Sequence, residues 1–274
     1  MVKIYHYTSI DTLEKIIKNK TIRFTRLDKV DDPEESIYGS GKFGVKVGKY
    51  IFVSCWTKDS MENPCLWEYV EKRYGKQNVI RIGMDENMFV SYPCPSYRQY
   101  KSFFLHEFES EEDCYFHNMM NLVQLYDVQY VDNNEERIKE YINDGRECSE
   151  YRTNEYGLYK NKGIWENQKE SRFRLIATPT KVKFESQDIQ MGERNVNFVI
   201  DLLGSMPSSL KQNLPISLEY KDMPLKEKAL NSIEVTMGPN TTRENKKRVK
   251  KILYSSPFCC FLSKRRIHIS SFNK

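Results

Sequence analysis

The stretch Val2-Lys3-Ile4-Tyr5-His6-Tyr7-Thr8-Ser9-Ile10-Asp11-Thr12-Leu13-Glu14-Lys15-Ile16-Ile17-Lys18-Asn19-Lys20-Thr21-Ile22-Arg23-Phe24-Thr25-Arg26-Leu27 decides the fold class. Val2 to Tyr7 alternates and is rich in β-formers, which predicts a strand. Ser9 offers a side-chain oxygen to the free N–H groups of a helix start. Ile10, Leu13, Ile16 and Ile17 then recur at helical spacing. Lys18-Asn19-Lys20 ends that helix, and Thr21 to Leu27 is a second strand.

Outward from this unit the pattern continues. An acidic turn, Asp31-Asp32-Pro33-Glu34-Glu35, leads to a buried strand from Tyr50 to Trp56. Asn63-Pro64 opens a helix carrying Leu66, Trp67, Tyr69 and Val70; Gly75 closes it, and Asn78 to Met84 is the next strand. Residues 85–160 read as an insertion, with an irregular Tyr92–Tyr100, a strand over Leu122–Val131 and a helix over Glu135–Asp144. Trp165 to Ile176 and Thr180 to Glu185 read as strands, and a helix around Asn197 to Leu203 ends near Gly204. The chain ends strand–helix–strand: Ile233–Met237, a Gly238-Pro239 turn, a Thr242-capped helix with Val249, Ile252 and Leu253 inward, then Ile267–Ser270. No repeat or low-complexity linker interrupts it. The expectation is one α+β domain over 1–274, with a mixed, mainly antiparallel sheet flanked by helices.

Composition narrows the function classes. A chain of 274 residues with 39% hydrophobic and 13% aromatic residues is no disordered segment. No apolar run approaches the ~18 residues of a membrane span. MVKIYHYTSI lacks the apolar core and cleavage site of a secretory leader, so the expected compartment is the cytoplasm, without membrane contact. The net charge of +5 is uneven: from Thr241 to Lys274 there are ten Lys/Arg and one Glu. A basic end, 233–274, on a mildly acidic body suggests a polyanion partner, held by Lys246, Lys247, Lys250, Lys251 and Arg265. The same run also reads as a solvated helix face.

Familiar motifs fail. The seven cysteines (Cys55, Cys65, Cys94, Cys114, Cys148, Cys259 and Cys260) form neither a disulfide framework nor a C-x-x-C metal site, so no metal is expected. Asn240-Thr241-Thr242 matches a glycosylation acceptor, which carries no meaning without secretion. Gly39-Ser40-Gly41-Lys42 is not a phosphate loop, because Ser36 and Phe43 stand where it needs Gly and Ser/Thr. No G-x-G-x-x-G follows a strand, and G-x-S-x-G is absent. Cys55 with His6 or His117 as base has no local support; a buried strand thiol is the simpler reading.

Six patches together resemble one family. They are Ile4-Tyr5-His6-Tyr7-Thr8-Ser9 with Ile22-Arg23-Phe24; Asp31-Asp32-Pro33-Glu34-Glu35, like N-D-P-x-E with Asp for Asn; and Val53-Ser54-Cys55-Trp56. The others are Leu66-Trp67-Glu68-Tyr69; Trp165 to Arg172, like W-x-x-E-x-E-x-R with Gln168 for the first Glu; and Ile233-Glu234-Val235-Thr236-Met237-Gly238-Pro239. In order and spacing this set is similar to the bacterial and phage family called domain of unknown function 2971, with gaps over 85–160 and 186–215. The resemblance implies a bacterial or phage setting, including phage defence, and no established activity.

His6-Tyr7-Thr8 on a first strand also resembles the opening motif of ADP-ribosyltransferases of the His-Tyr-Glu class, and Gln168-Lys169-Glu170 resembles their Q-x-E or E-x-E element. That second resemblance implies NAD as substrate, with His6 toward the adenosine side, a neighbouring hydroxyl or aromatic lining the nicotinamide pocket (Thr8 among the cofactor-binding residues), Glu170 and Gln168 catalytic, and a nucleic acid or protein as ADP-ribose acceptor. The physics is coherent. Cleaving the N-glycosidic bond develops an oxocarbenium-like cation, which a carboxylate on the ribose 2′-hydroxyl stabilises. Gln168, two positions earlier on the same strand, would share a face with Glu170. Arg23, Arg26 or Arg172 would meet the pyrophosphate, and Trp56 or Tyr69 would stack on the nicotinamide ring. Each residue keeps a structural alternative: Glu170 with Arg172 as an ion-pair network, and Trp56, Trp67 and Trp165 as core. The competing class is a non-catalytic nucleic-acid- or partner-binding module of a defence system or mobile element.

Overall fold

Ser9 ends one element and starts the next. It is the last residue of β1 (Lys3–Ser9), and its hydroxyl accepts from the Thr12 N–H to open α1 (Ile10–Asn19). Lys20 takes a left-handed conformation that closes α1 and turns the chain into β2 (Thr21–Arg26). The computed structural model describes residues 2–32, 35, 47–90, 114–117, 123–132, 157–179, 212–254 and 266–272. The further strands are β3 (Ile51–Thr57), β4 (Val79–Asp85), β5 (Cys114–His117), β6 (Leu125–Asp127), β7 (Gln129–Val131), β8 (Tyr159–Asn161), β9 (Glu170–Pro179), β10 (Tyr220–Pro224), β11 (Glu234–Met237) and β12 (Arg266–Ile269). The further helices are α2 (Pro64–Tyr74), α3 (Lys162–Trp165), α4 (Glu227–Asn231) and α5 (Arg243–Tyr254).

Ten strands form one sheet in the order β10-β2-β3-β1-β4-β11-β12, with β9 along the other edge of β3 and β5 and β6 along β9. Every pairing in it is antiparallel except β11 with β12. A small parallel pair, β7–β8, stands apart. The architecture is α+β with a mixed, mostly antiparallel sheet, as expected. Strands β5 and β6 lie within the 85–160 insertion and are built into the main sheet through β9. The central strands carry the core, including Ile4, Phe24, Ile51, Phe52, Ile80, Ile82, Phe173, Leu175 and Val235. α2 covers β1 and β4 through Trp67 and Val70, which pack with Tyr7 and Val79. α5 lays Val249 and Leu253 into the core beside α1. Among the described residues no helix is long and apolar enough to cross a membrane.

Helix boundaries follow the local chemistry. The Asn63 side chain accepts from the Cys65 and Leu66 N–H groups, Pro64 follows it, and Gly75 closes α2 at φ +86°. The Thr242 hydroxyl accepts from the Asn245 N–H to open α5.

Two expected strands divide. Trp165–Ile176 is not one strand: α3 and a 3-10 turn (Glu166–Gln168) precede β9, because Lys169 takes φ +46° and turns the chain. Leu122–Val131 separates into β6 and β7, because the intervening Val128 N–H donates to the Glu170 carbonyl. β5, β8, β10 and α4 are short elements without a clear period. The expected elements over 92–100, 135–144, 180–185 and 197–203 lie outside the described residues.

Candidate functional site

A split in the sheet creates the site. Strands β1 and β2 pair with the same edge of β3, opposite β9, but at different heights. Phe52 and Val53 pair with Arg26 and Thr25, whereas Thr57 pairs with Tyr5. On that edge Ser54 to Trp56 face the gap where β1 and β2 diverge. The His6 ring fills part of it: Nδ1–H donates to the Cys55 carbonyl at 2.8 Å, leaving Nε2 as an acceptor. Burial lowers the His6 pKa, so the imidazole is neutral.

The gap opens into a cavity of about 540 Å³. That volume lies within the ~300–1,000 Å³ common to small-molecule sites. Its walls come from β1, β2, β3, α1, α2, the 29–35 segment and the Lys160–Arg172 segment. Residues far apart in sequence meet there because α1 crosses between two parallel strands while β9 supplies the opposite side of β3.

At the floor lies a buried group of four charges. Arg172, 1% exposed, donates Nε to Glu170, Nη1 to the Gly157 carbonyl at 2.7 Å, and both terminal nitrogens to Glu35. Lys160 Nζ lies 2.7 Å from Glu170 and donates to Gln168 Oε1 at 3.1 Å, over the Trp165 ring at 4.5 Å. Burial alone would push the Glu170 carboxyl up, but the charges of Arg172 and Lys160 outweigh it and hold it well below the usual range. The Cys55 thiol hydrogen-bonds to Glu170, and burial pushes its pKa far up. Burial thus favours the protonated thiol over the thiolate.

The rim is amphipathic. Asp31 accepts from both the Tyr69 hydroxyl and Arg73, tying the acidic turn to α2. Tyr69 is half-buried, and burial raises its pKa. Lys15 of α1, Arg23 of β2, Lys29 and Arg73 bring positive charge to the walls. Arg23 is clasped by Asp222 through two 2.9 Å bonds and stacks on Tyr220. Lys29 pairs with the exposed Glu219.

The expected catalytic and cofactor candidates other than Arg26 line this one cavity: His6, Thr8, Arg23, Trp56, Tyr69, Gln168, Glu170 and Arg172. Their settings differ from the expectation in four ways. Gln168 sits on a 3-10 turn, not on a strand, and reaches the cavity from there. Arg172 is consumed by two carboxylates, so it is no free pyrophosphate ligand. Arg26 bonds Asp28 and the carbonyls of Ile216 and Leu218 and is not a lining residue. Trp56, 3% exposed, is a wall packed between His6 and Phe173, which leaves Tyr69 as the more accessible ring. Sequence reasoning missed Lys160, Glu35 as a floor carboxylate, Lys15, Lys29 and Arg73. Glu35 lay in plain sight within the acidic turn; an acid there and an unpaired-looking Arg172 on an apolar strand were the available signal. Lys246, Lys247, Lys250 and Lys251 lie on α5, away from the cavity lining, and Arg265 lies outside the described residues.

No family model, no curated protein and no solved structure matches the chain.

Proposed function

We propose that the cavity binds NAD and that the protein is an NAD-consuming enzyme of the ADP-ribosyltransferase kind. The observation that carries this reading is the convergence of His6 and Glu170, distant in sequence, on one cavity of nucleotide size. Glu170 is ionised, as stabilisation of a ribosyl cation requires. Neutral His6 keeps Nε2 free to accept a hydroxyl proton. Tyr69 offers a ring for stacking, and Lys15 on the wall suits a pyrophosphate, whereas Arg23, Lys29 and Arg73 would reach one only by exchanging their carboxylate partners. In the reaction the N-glycosidic electron pair leaves with the pyridinium, which departs as neutral nicotinamide. The ribosyl cation is taken by an acceptor nucleophile or by water, which gives up its proton.

The double clasp on Glu170 favours a second reading. Its carboxylate oxygens are occupied by Arg172, Lys160 and the Cys55 thiol. A ligand hydroxyl gains Glu170 only by displacing the Lys160 ammonium. Without that displacement the protein is a non-catalytic nucleotide- or partner-binding module.

The test is titration with NAD while both binding and nicotinamide release are followed. Binding with release supports the transferase, binding without release supports the module, and neither removes both nucleotide readings. Glu170→Gln should abolish release. It also unbalances the buried charges, so it must be compared with wild type at matched folded fraction. His6→Ala and Gln168→Ala provide cavity variants outside the four-charge group.

A further inference from the structure

The exposed cations of α5 are arranged as a stripe. Arg243, Lys247, Lys250 and Tyr254 follow i, i+4, i+7, i+11 spacing, and all four are exposed. Lys246, half-buried, and Lys251, exposed, flank them. The buried side of the helix carries Val249 and Leu253, both fully buried. The stripe therefore runs along the whole outer surface of the helix, about 16 Å by helical rise.

Its charge is uncompensated. On the same helix Arg248 turns inward to α1, where its Nη2 meets Asp11 at 2.7 Å and Glu14 at 2.5 Å. Elsewhere on the surface Lys3, Arg23, Lys29, Lys58, Lys72, Arg73 and Lys169 each meet a carboxylate. Among the described residues Arg243, Lys246, Lys247, Lys250 and Lys251 meet none. The helix itself carries one acid, Glu244, in the first turn.

We propose that this face of α5 binds the phosphodiester backbone of a nucleic acid, without sequence preference. Uncompensated Lys and Arg in a row neutralise successive phosphates and release their counterions. Tyr254, 48% exposed at the end of the row, gives a base something to stack on. The rival polyanion is an anionic membrane. Membrane-surface helices need an apolar face to bury among the lipids, and α5 has already spent its apolar face on the core. This site is independent of the NAD cavity.

The experiment is a fluorescence titration of the full chain with a labelled oligothymidine strand, with a mixed-sequence duplex, and with vesicles of phosphatidylserine and phosphatidylcholine. Wild type is compared with the K247Q/K250Q/K251Q variant over a range of salt. The variant keeps every buried residue of α5, and an unchanged thermal melt verifies its fold. Wild type should bind one or both nucleic acids at low salt. The variant should bind roughly tenfold or more weakly, with the slope of log affinity against log salt reduced by about 2–3. Tyr254→Ala should weaken the single-strand titration and spare the duplex. The proposal is overturned if wild type binds neither nucleic acid, if variant and wild type titrate alike, or if the vesicles bind as tightly as the oligonucleotides.

Discussion

The Lys160 ammonium lies 2.7 Å from the Glu170 carboxylate and 3.5 Å from that of Glu35. With Arg172 this makes two cations and two carboxylates, a paired set buried in the floor of the cavity. Buried charges persist only where they are paired and hydrogen-bonded. Lys160 is the member nearest to being replaceable: Arg172 is 1% exposed and held by fixed forks, whereas Lys160 is a flexible point charge shared among three acceptors.

Lys160→Met should therefore act on Glu170 before it acts on anything else. One of the two charges that hold the carboxyl down disappears, while burial, which pushes it up, remains. The Glu170 carboxyl should titrate at higher pH in the variant than in wild type. Carbon-13 NMR of labelled glutamate reads this directly, with Glu170→Gln to assign the signal. An unmoved resonance would show that Arg172 alone sets the ionisation.

Arg172→Met tests the structural side of the same group. It leaves Glu35 and Glu170 sharing Lys160 in the interior, and orphaning a buried charge costs about 3–5 kcal/mol. Urea unfolding should show a loss of that order. Glu35→Gln with Arg172→Met removes one charge of each sign, so the double variant should lose less than the two single losses added together. Simple additivity would mean that the two side chains are not coupled as their bonds indicate.

The sequence made the frame of this site legible and its floor much less so. Strand, helix and strand at Lys3–Arg26 follow from alternation, the Ser9 cap and the Ile10–Leu13–Ile16 spacing, all local signals. His6 and Glu170 were readable as polar residues in otherwise apolar strands. Lys160 was not, because it lies in a segment without a clear period and gains its meaning only from partners brought by folding. Arg23 was visible as a cation, but its clasp by Asp222 comes from a residue 199 positions away. The turn at Lys169 depends on a positive φ in a non-glycine residue, which no composition signal marks.

Stability against pH should carry a His6 signature. Burial lowers the folded-state pKa of this imidazole, while the unfolded chain takes a proton near the ordinary histidine value of about 6.5. The unfolded state thus binds more protons as pH falls. The contribution is fully present above about pH 6.5 and is lost progressively below it. Glu170 adds a second loss lower down, because its depressed carboxyl contributes fully above the ordinary glutamate range, about pH 4.3, and fades as acid protonates it. His6→Asn keeps a donor for the Cys55 carbonyl and removes the titration. Urea midpoints from pH 7 to 5 should fall less steeply for this variant than for wild type, and superimposable profiles would refute the buried neutral imidazole.

Gly238 shows how closely the helices must seat for the cavity walls to exist. It follows β11, and its N–H donates to the Val79 carbonyl at 3.0 Å. A Cβ placed there would sit 2.6 Å from Val79 Cγ2 and 2.8 Å from the Val79 carbonyl oxygen, with the Trp67 ring at 3.4 Å. The first two contacts are clashes, and the second is with backbone, so the strand itself would have to move. Val79 and Trp67 belong to the cluster that holds α2 on β1. Gly238→Ala should then cost about 1–3 kcal/mol, the usual range for overpacking a filled interior. Urea unfolding measures that loss. Because α2 carries Tyr69 and Arg73 on the cavity rim, NAD should also bind more weakly to the folded variant if the cavity is the nucleotide site. A variant as stable as wild type would show that the β11 turn is free to lift from β4.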